Sequence, residues 1–288
     1  MKELQVVDMR VVPGDSAYLI YNDTTAILYD SGFAFTGYDL ARKIKETLGE
    51  RKLDYIFLTH SHYDHCLGSA YVKKAYPEAV VIAGRHTAEV FARPHAILKM
   101  RELDNAHAKH YGIGEYEFLG DTLSVDVVVK EGDEIGCGDL LFRVYEFPGH
   151  TKCSIGFYEI NKKLLLSSET LGIYHGNGIL PICLTGFSDA LRSISKLKTL
   201  DIEHLLVPHL GLIDRKATKH YLSIVEGEFQ KAKELIISSL QEGKDKEKII
   251  EEFAKIFTGG PIHDIYPPDA SHLNTSLMID LIKKEFFD

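Results

Sequence analysis

The feature that most constrains this chain is a cluster of four candidate metal ligands within six positions: His60, His62, Asp64 and His65. The cluster directly follows residues 55–58, whose apolar character and short length predict a buried strand. Side chains two positions apart share one face of an extended chain, so the first two histidines are predicted to point the same way. The other two ligands follow where the chain must turn, and they can face a second ion. A strand end is a rigid base for ligands, so this loop predicts parts of two metal sites rather than a solvated histidine-rich loop.

Three more candidate ligands stand where an apolar run meets a turn that contains Gly, Pro or Ser: His150, Glu169 and His209. Each follows a strand-like run, at residues 140–147, 163–166 and 205–207 respectively. A single histidine at a strand end is more often structural than functional. Four strand ends that each deliver a histidine or a carboxylate indicate a metal centre built from distant parts of the chain.

The order of these residues, preceded by an aspartate at position 30, resembles the metallo-β-lactamase superfamily, in particular its glyoxalase II-like and lactonase-like branch. The resemblance runs from about Asp30 to Gly211. It implies an α+β fold, the αββα metallo-β-lactamase sandwich, in which two mostly antiparallel sheets lie face to face. A helical insertion and C-terminal helices would be added to that sandwich. The metal site would lie at one edge of it, on loops between strands.

The resemblance also implies a role for each ligand. The first ion would be bound by His60, His62 and His150, and the second by Asp64, His65 and His209. Asp30 would support the histidine loop without binding metal, because a carboxylate behind an imidazole orients the ring and tunes its basicity. An aspartate that only forms a turn before Ser-Gly is the alternative for this residue.

Glu169 departs from the family pattern, in which the carboxylate that bridges the two ions is usually an aspartate. The segment here reads Ser168-Glu169-Thr170. Glutamate can still bridge two ions, but its extra methylene changes its reach, so it could bind one metal alone or alter the spacing of the two. A surface glutamate that binds nothing is the alternative.

The function that the resemblance implies is dinuclear, metal-dependent hydrolysis by a metal-bound hydroxide on an ester, thioester, lactone or phosphodiester. Zinc is the first choice of metal, and iron or manganese suits the same ligands. Asp64 could also take up a proton. Tyr174 and His175, which follow Glu169 closely, are candidates for protonating a leaving group or holding an oxyanion, although ordinary loop packing explains either residue as well.

Two other functions are compatible with this fold. One is a non-haem iron or di-iron redox or oxygen-binding protein, although members of the flavodiiron type have glutamate where this chain has His62. The other is a metal-dependent sensor or ligand-binding module without turnover, which the unusual Glu169 would permit.

Composition restricts the partners and the compartment. The chain has 33 basic and 42 acidic residues, a net charge of −9, which argues against nucleic-acid binding through a basic face. The first residues lack the apolar core of a signal peptide, and no segment has membrane-spanning length without charges. The four cysteines lack CxxC spacing and indicate reduced thiols. We therefore expect a cytoplasmic protein with a small-molecule substrate and no membrane partner.

The predicted organisation is a catalytic domain at residues 1–215, with a helical insertion at about 86–120, and a C-terminal helical extension at 216–288 packed on the same domain. The insertion is either a cap that shapes the substrate pocket or a solvated helix. A helix is predicted from Ser188 to Thr199 with Ser188 as its cap. An apolar stripe from Tyr221 to Leu240 is most simply the face packed on the domain, and a homodimer interface is the alternative that the pattern alone does not separate from it.

Overall fold

The chain divides after residue 145 into two compact units, residues 1–145 and residues 146–288. The computed structural model describes residues 4–175, 178–259, 262, 266 and 268–287. The predicted organisation into residues 1–215 and 216–288 stays a prediction. The helices predicted as a C-terminal extension belong to the second unit, together with the strands that begin at residue 155.

The first unit is built on a six-stranded sheet in which the strands follow one another in chain order. The strands are β1 (Gln5–Asp8), β2 (Tyr18–Tyr21), β3 (Ala26–Tyr29), β4 (Tyr55–Phe57), β5 (Val80–Gly84) and β6 (Val127–Val129). β1, β2 and β3 pair antiparallel, whereas β3, β4, β5 and β6 pair parallel. A hairpin of β7 (Glu134–Cys137) and β8 (Leu140–Glu146) follows.

Helical crossovers explain the parallel pairings, because parallel neighbours cannot be joined by a tight hairpin. β3 is joined to β4 through α1 (Gly37–Leu48), β4 to β5 through α2 (Tyr63–Cys66) and α3 (Ser69–Ala75), and β5 to β6 through α4 (Arg85–Phe91) and α5 (Pro94–His110). The expectation of a mostly antiparallel sheet is therefore wrong for this sheet. The helical insertion predicted at 86–120 contains most of α4 and all of α5.

The core of the first unit follows from the periodicity of its segments. All four residues of β3 are buried, as expected of a strand covered on both faces. α1 turns Leu40, Ile44 and Leu48 inward at the spacing of one helical face, and these side chains join the apolar cluster of the unit.

The second unit contains strands in the order β14-β13-β10-β9, namely β14 (Gly211–Ile213), β13 (His204–Val207), β10 (Leu164–Leu166) and β9 (Ile155–Glu159). β10 pairs parallel with β13 and antiparallel with β9. A two-stranded sheet of β11 (Ile173–Tyr174) and β12 (Ile179–Leu180) lies in the same unit. The helices that the described residues of this unit form include α6 (Phe187–Leu197), α7 (Arg215–Gln241), α8 (Lys246–Phe257) and α9 (Pro268–Phe286).

The predicted cap of α6 is wrong. The helix begins after Gly186, and Ser188 lies inside its first turn. The carboxylate of Glu285, from α9, accepts the backbone N–H groups of Phe187 at 2.8 Å and Ser188 at 2.9 Å. The first-turn donors are thus satisfied by a residue 97 positions from Ser188, which no local pattern indicates.

The apolar stripe of α7 is covered within its own unit. Tyr221, Val225, Phe229 and Ile236 are fully buried, and α7 packs against β12, β13, α6, α8 and α9. This stripe is therefore a packing face, and the homodimer stays a prediction without it. Among the described residues, no helix combines the length and the apolar character needed to cross a bilayer.

Gly68 lies where the chain after α2 passes the backbone of Ser31. Its N–H donates to the carbonyl of Gly32 at 3.1 Å. A Cβ at this position would lie 1.8 Å from the Ser31 carbonyl oxygen, which is a backbone atom that cannot turn aside.

Gly68→Ala should therefore lower the free energy of unfolding by about 1–3 kcal/mol or more, the usual cost of overpacking. Urea denaturation measures this loss. Gly114→Ala is the matched control, because nothing lies within 4 Å of a Cβ there, and it should stay within about 0.5 kcal/mol of the wild type. Equal stability of the two variants would contradict the close approach.

Asp104, on α5, is fully buried and holds this helix to the segment that follows β3. Its carboxylate accepts the N–H of Ala34 at 3.0 Å and the hydroxyl of Tyr116. Burial raises the pKa of Asp104 to about 6, although the hydrogen bond from Tyr116 acts in the opposite direction.

An acid whose pKa is higher in the folded than in the unfolded chain favours folding only while it is protonated. The contribution of Asp104 should be complete below its usual pKa of 3.8 and lost as the pH rises through about 6. The difference corresponds to about 3 kcal/mol. Asp104→Asn, which copies the shape of the protonated acid, should gain stability relative to the wild type over this range in urea titrations. Parallel pH profiles would contradict the raised pKa.

Candidate metal centre

Two neighbouring parallel strands of the first unit position the loop at residues 59–65, called here the metal loop. Tyr29, the last residue of β3, pairs with Phe57, the last residue of β4. The carboxyl ends of parallel strands meet at the same edge of a sheet, so the residues after them are close although far apart in sequence. Asp30 follows β3 directly, and the segment 59–65 follows β4 two residues further on.

Asp30 is the centre of this edge. Its buried carboxylate accepts hydrogen bonds from the hydroxyl of Ser16 at 3.0 Å, the backbone N–H of Thr59 at 2.9 Å and Nδ1 of His65 at 2.7 Å. Its φ of +50° lies in the left-handed region, which is uncommon for residues other than glycine. The predicted support of the histidine loop is confirmed, and turn formation alone does not account for these contacts.

The contacts behind the rings determine which nitrogen faces outward. A carboxylate only accepts, so His65 carries its proton on Nδ1 and presents the lone pair of Nε2. The hydroxyl of Thr59 donates to Asp30 at 3.0 Å, so its oxygen accepts from Nδ1 of His60, also at 3.0 Å. In both histidines Nε2 is therefore the nitrogen available to a metal ion.

The four candidate ligands of the loop lie close together. His62 keeps an extended backbone, with φ −76° and ψ 147°, and α2 begins directly after it. The rings of His60 and His62 are 4.6 Å apart, and those of His60 and His65 are 4.1 Å apart. A carboxylate oxygen of Asp64 lies 3.7 Å from Nε2 of His65. The predicted common direction of the first two histidines is confirmed.

The second unit uses the same principle of strand ends. β10 and β13 run parallel, so Glu169 and His209, which follow them, leave the sheet at one edge. β9 runs antiparallel to β10, so His150, which precedes β9, lies at that edge too. His209 has a φ of +63°, a second left-handed backbone at a candidate ligand.

Glu169 joins the two histidines of this unit. One carboxylate oxygen lies 2.8 Å from Nε2 of His150, and the other lies 2.9 Å from Nε2 of His209. Burial alone would raise the pKa of Glu169, but the charges and hydrogen bonds of the two imidazoles hold it well below its usual range. The alternative of an exposed surface glutamate is wrong, because this side chain is 3% exposed.

Residues that sequence reasoning missed hold His150 in place. Gly149 has a φ of +143°, and a Cβ there would lie 2.6–2.8 Å from atoms of Ala190. Its carbonyl accepts the N–H groups of residues 184, 185 and 186 at 3.0–3.2 Å. Nδ1 of His150 donates to the carbonyl of Ile182 at 3.3 Å. The positions of these partners are set by tertiary folding, and only the glycine before the histidine was a local signal.

The two further catalytic candidates lie on the segment after Glu169. Tyr174, in β11, is 4% exposed, and its ring lies 5.6 Å from that of Tyr221 in an edge contact. His175 is half-buried, and burial lowers its pKa. Their catalytic roles stay predictions.

The donors in each unit fit divalent metal ions. They are imidazole nitrogens and carboxylate oxygens, which zinc, iron and manganese accept. Four lie in the first unit and three in the second, and protein groups behind His60, His65 and His150 fix those rings. Imidazole and carboxylate donors, buried or half-buried at the ends of strands in two mixed sheets, define a metal-binding protein with an α+β fold.

The chain belongs to the metallo-β-lactamase superfamily, whose family model matches residues 12–209. A hydroxyacylglutathione hydrolase from Wigglesworthia glossinidia brevipalpis is 28% identical over 156 residues, 54% of this chain and 47% of that protein. Hydroxyacylglutathione hydrolase 1 from Vibrio vulnificus is 25% identical over 208 residues, 71% of this chain and 66% of that protein. The chain thus spans about half of the first relative and just under two thirds of the second.

A metallo-β-lactamase family protein from Thermus thermophilus shares the fold. Its crystal structure matches with a TM-score of 0.65 at 18% identity, over 98% of this chain and 93% of that one. This likeness and the family model confirm the predicted fold class, the αββα metallo-β-lactamase fold.

Removal of the Asp30 carboxylate should destabilise the protein even when it holds no metal. Asp30→Ala leaves Ser16, Thr59 and His65 with buried donors that lack an acceptor, at a cost of about 3–5 kcal/mol. Asp30→Asn keeps one acceptor oxygen and should lose less. Urea unfolding of chelator-treated protein measures both. The exposed Asp39 pairs with Arg42, and Asp39→Ala should cost at most about 1 kcal/mol of stability. An equally small loss in Asp30→Ala would contradict the view that Asp30 holds these three donors together.

Proposed function

We propose that this chain is a metal-dependent hydrolase that uses two divalent ions to cleave an ester or thioester of a small molecule. One observation carries the proposal: the two oxygens of the Glu169 carboxylate each face Nε2 of a different buried histidine, at 2.8 and 2.9 Å. A carboxylate that serves two imidazoles in this way suits a bridging ligand. Membership of the superfamily supports the proposal, as do the hydrolase names of the two relatives.

The proposed ligand roles follow the family. His60, His62 and His150 would hold the first ion, and Asp64, His65 and His209 the second. Glu169 would stand in the place of the usual bridging aspartate. The support for these roles is the burial and orientation of the donors in each unit, where Nδ1 of His60, His65 and His150 is held by a protein group.

Two bound ions would supply a water of lowered pKa as nucleophile and would polarise the scissile carbonyl. The side chains of the chain then manage protons and orientation. Asp64, whose side chain is 17% exposed, would be the carboxylate that takes up a proton at this site. Burial keeps the imidazole of His175 neutral at pH 7 by lowering its pKa, and its N–H can donate to the oxyanion or to the leaving oxygen or sulfur. We propose Tyr174 as a second donor of this kind.

Zinc is the proposed metal, because a mixed set of imidazoles and carboxylates is its common environment in hydrolases. A thioester is the first substrate class to test, because both relatives are named hydroxyacylglutathione hydrolases and an acyl group on the glutathione sulfur is a thioester. The net charge of −9 favours a small molecule over a nucleic acid.

The test combines metal analysis with a substrate screen. Protein purified anaerobically without added metal should contain about two zinc ions per chain and hydrolyse members of a thioester, ester, lactone and phosphodiester panel. The double variant His62→Ala with His65→Ala should lose metal. Its kcat/KM should fall by more than about 100-fold, the upper end of the loss caused by removing a residue that only supports a metal ligand. Glu169→Gln should also lose metal and activity.

The matched control is His204→Ala, because His204 is an exposed histidine at the start of β13. It should keep the metal content and activity of the wild type. Iron with a visible absorption band that disappears on reduction would replace the proposal with a redox function. Two bound ions without hydrolysis of any panel member would favour a ligand-binding module.

A further inference from the structure

A group of aromatic rings lies beside the metal loop of the first unit. The ring of Phe33, which is 1% exposed, stacks on Phe35 at 4.7 Å and on His107 at 4.8 Å, and lies 5.7 Å from Tyr63. Tyr111 continues the group, 6.0 Å from Phe35 and 6.1 Å from His107. Phe33 is thus a buried base on which the outer rings rest.

The outer rings, Phe35, Tyr63, His107 and Tyr111, are called here the aromatic wall. All four residues are half-buried, so each keeps part of its surface accessible to solvent. Their side chains carry no carboxylate. A wall of π-systems with fixed faces and edges prefers offset or edge-to-face contact with another planar ring. An aliphatic group would make only nonspecific contacts with it. A cation would find no partner there as strong as a carboxylate.

The aromatic wall is continuous with the candidate ligands. Tyr63 is the residue between His62 and Asp64, and its ring belongs to the first turn of α2. α2 packs against α5, which carries His107. The phenol oxygen of Tyr63 lies 3.4 Å from Nδ1 of His107, at the long end of the range for a hydrogen bond. The aromatic wall therefore adjoins the candidate ligands of the first unit through Tyr63.

Buried carboxylates fix the wall in place. Asp104, one turn before His107 on α5, accepts the N–H of Ala34 at 3.0 Å. Asp15, which is 1% exposed, accepts the N–H of Phe33 at 3.1 Å. The base ring and the helix that carries the imidazole are thus tied to the same segment. Rings positioned in this way lose little freedom when a ligand binds.

We propose that the aromatic wall binds a planar, aromatic part of the substrate's acyl group, and that His107 is a residue that determines this specificity. The inference rests on the proposed function, because it names the substrate class of the same metal centre. It gives the helical insertion a role as part of the substrate pocket rather than as a solvated helix.

The kinetic test compares two esters that differ in planarity but little in size: 4-nitrophenyl phenylacetate and 4-nitrophenyl cyclohexylacetate. The wild type should have the higher kcat/KM for the phenyl ester. His107→Leu should reduce the ratio of the two kcat/KM values by about 3- to 10-fold, the effect of one aromatic pair. His107→Phe, which restores a ring, should restore the ratio. A purely structural role for His107 would change both esters equally and leave the ratio unaltered.

His95→Leu is the matched control, because His95 is exposed on the same helix and should leave the ratio unchanged. Tyr63→Phe separates ring from hydroxyl. It should keep the preference for the phenyl ester, since it removes the hydroxyl and retains the ring. A ratio near one in the wild type, or one that His107→Leu leaves unchanged, would overturn the inference.

A binding measurement separates this inference from the proposed function. Saturation-transfer NMR on metal-depleted protein should show phenylacetate binding more strongly than cyclohexylacetate, and His107→Leu should abolish the difference. If loaded wild type hydrolyses no ester while this preference persists, the proposed function fails and the wall stands. If esters are hydrolysed while neither acid is preferred, the hydrolase stands and the inference fails.

Discussion

The buried carboxylate of Asp30 is the interaction on which the metal loop of the first unit depends. It gathers donors from the segment before β2, from the segment after β4 and from α2, and its contact with His65 determines which imidazole nitrogen faces outward. Thr59 extends this control to His60. One anion therefore orients two candidate ligands. The parallel pairing of β3 and β4 makes this arrangement possible, because it brings the ends of both strands close to the Asp30 carboxylate.

In the second unit the candidate ligands are positioned in a different way. Its parallel pair, β10 and β13, delivers a ligand from each strand end, and the carboxylate is itself one of the candidates. The longer side chain of Glu169 spans both histidines from a 3₁₀ turn that begins at this residue. Left-handed backbone at His209 shows that local conformational preference yields here to placement of the ring.

Local patterns predicted much of this molecule and failed at long-range contacts. The strand before the histidine loop, the helices of the insertion and the support role of Asp30 followed from short segments and a family resemblance. The parallel pairings did not, because pairing depends on how crossovers pack. The first turn of α6 is capped by the carboxylate of Glu285, which lies 97 residues after Ser188 in the sequence. The raised pKa of Asp104 depends on burial, which residue type alone does not reveal. The ligand roles themselves still rest on the family.

The carbonyl of Gly149 accepts three consecutive backbone N–H groups from residues 184–186. Three donors on one oxygen fix both the length and the register of the segment that carries His150. One inserted or deleted residue would break all three contacts at once. The segment around Gly149 should therefore tolerate substitution better than a change in its length.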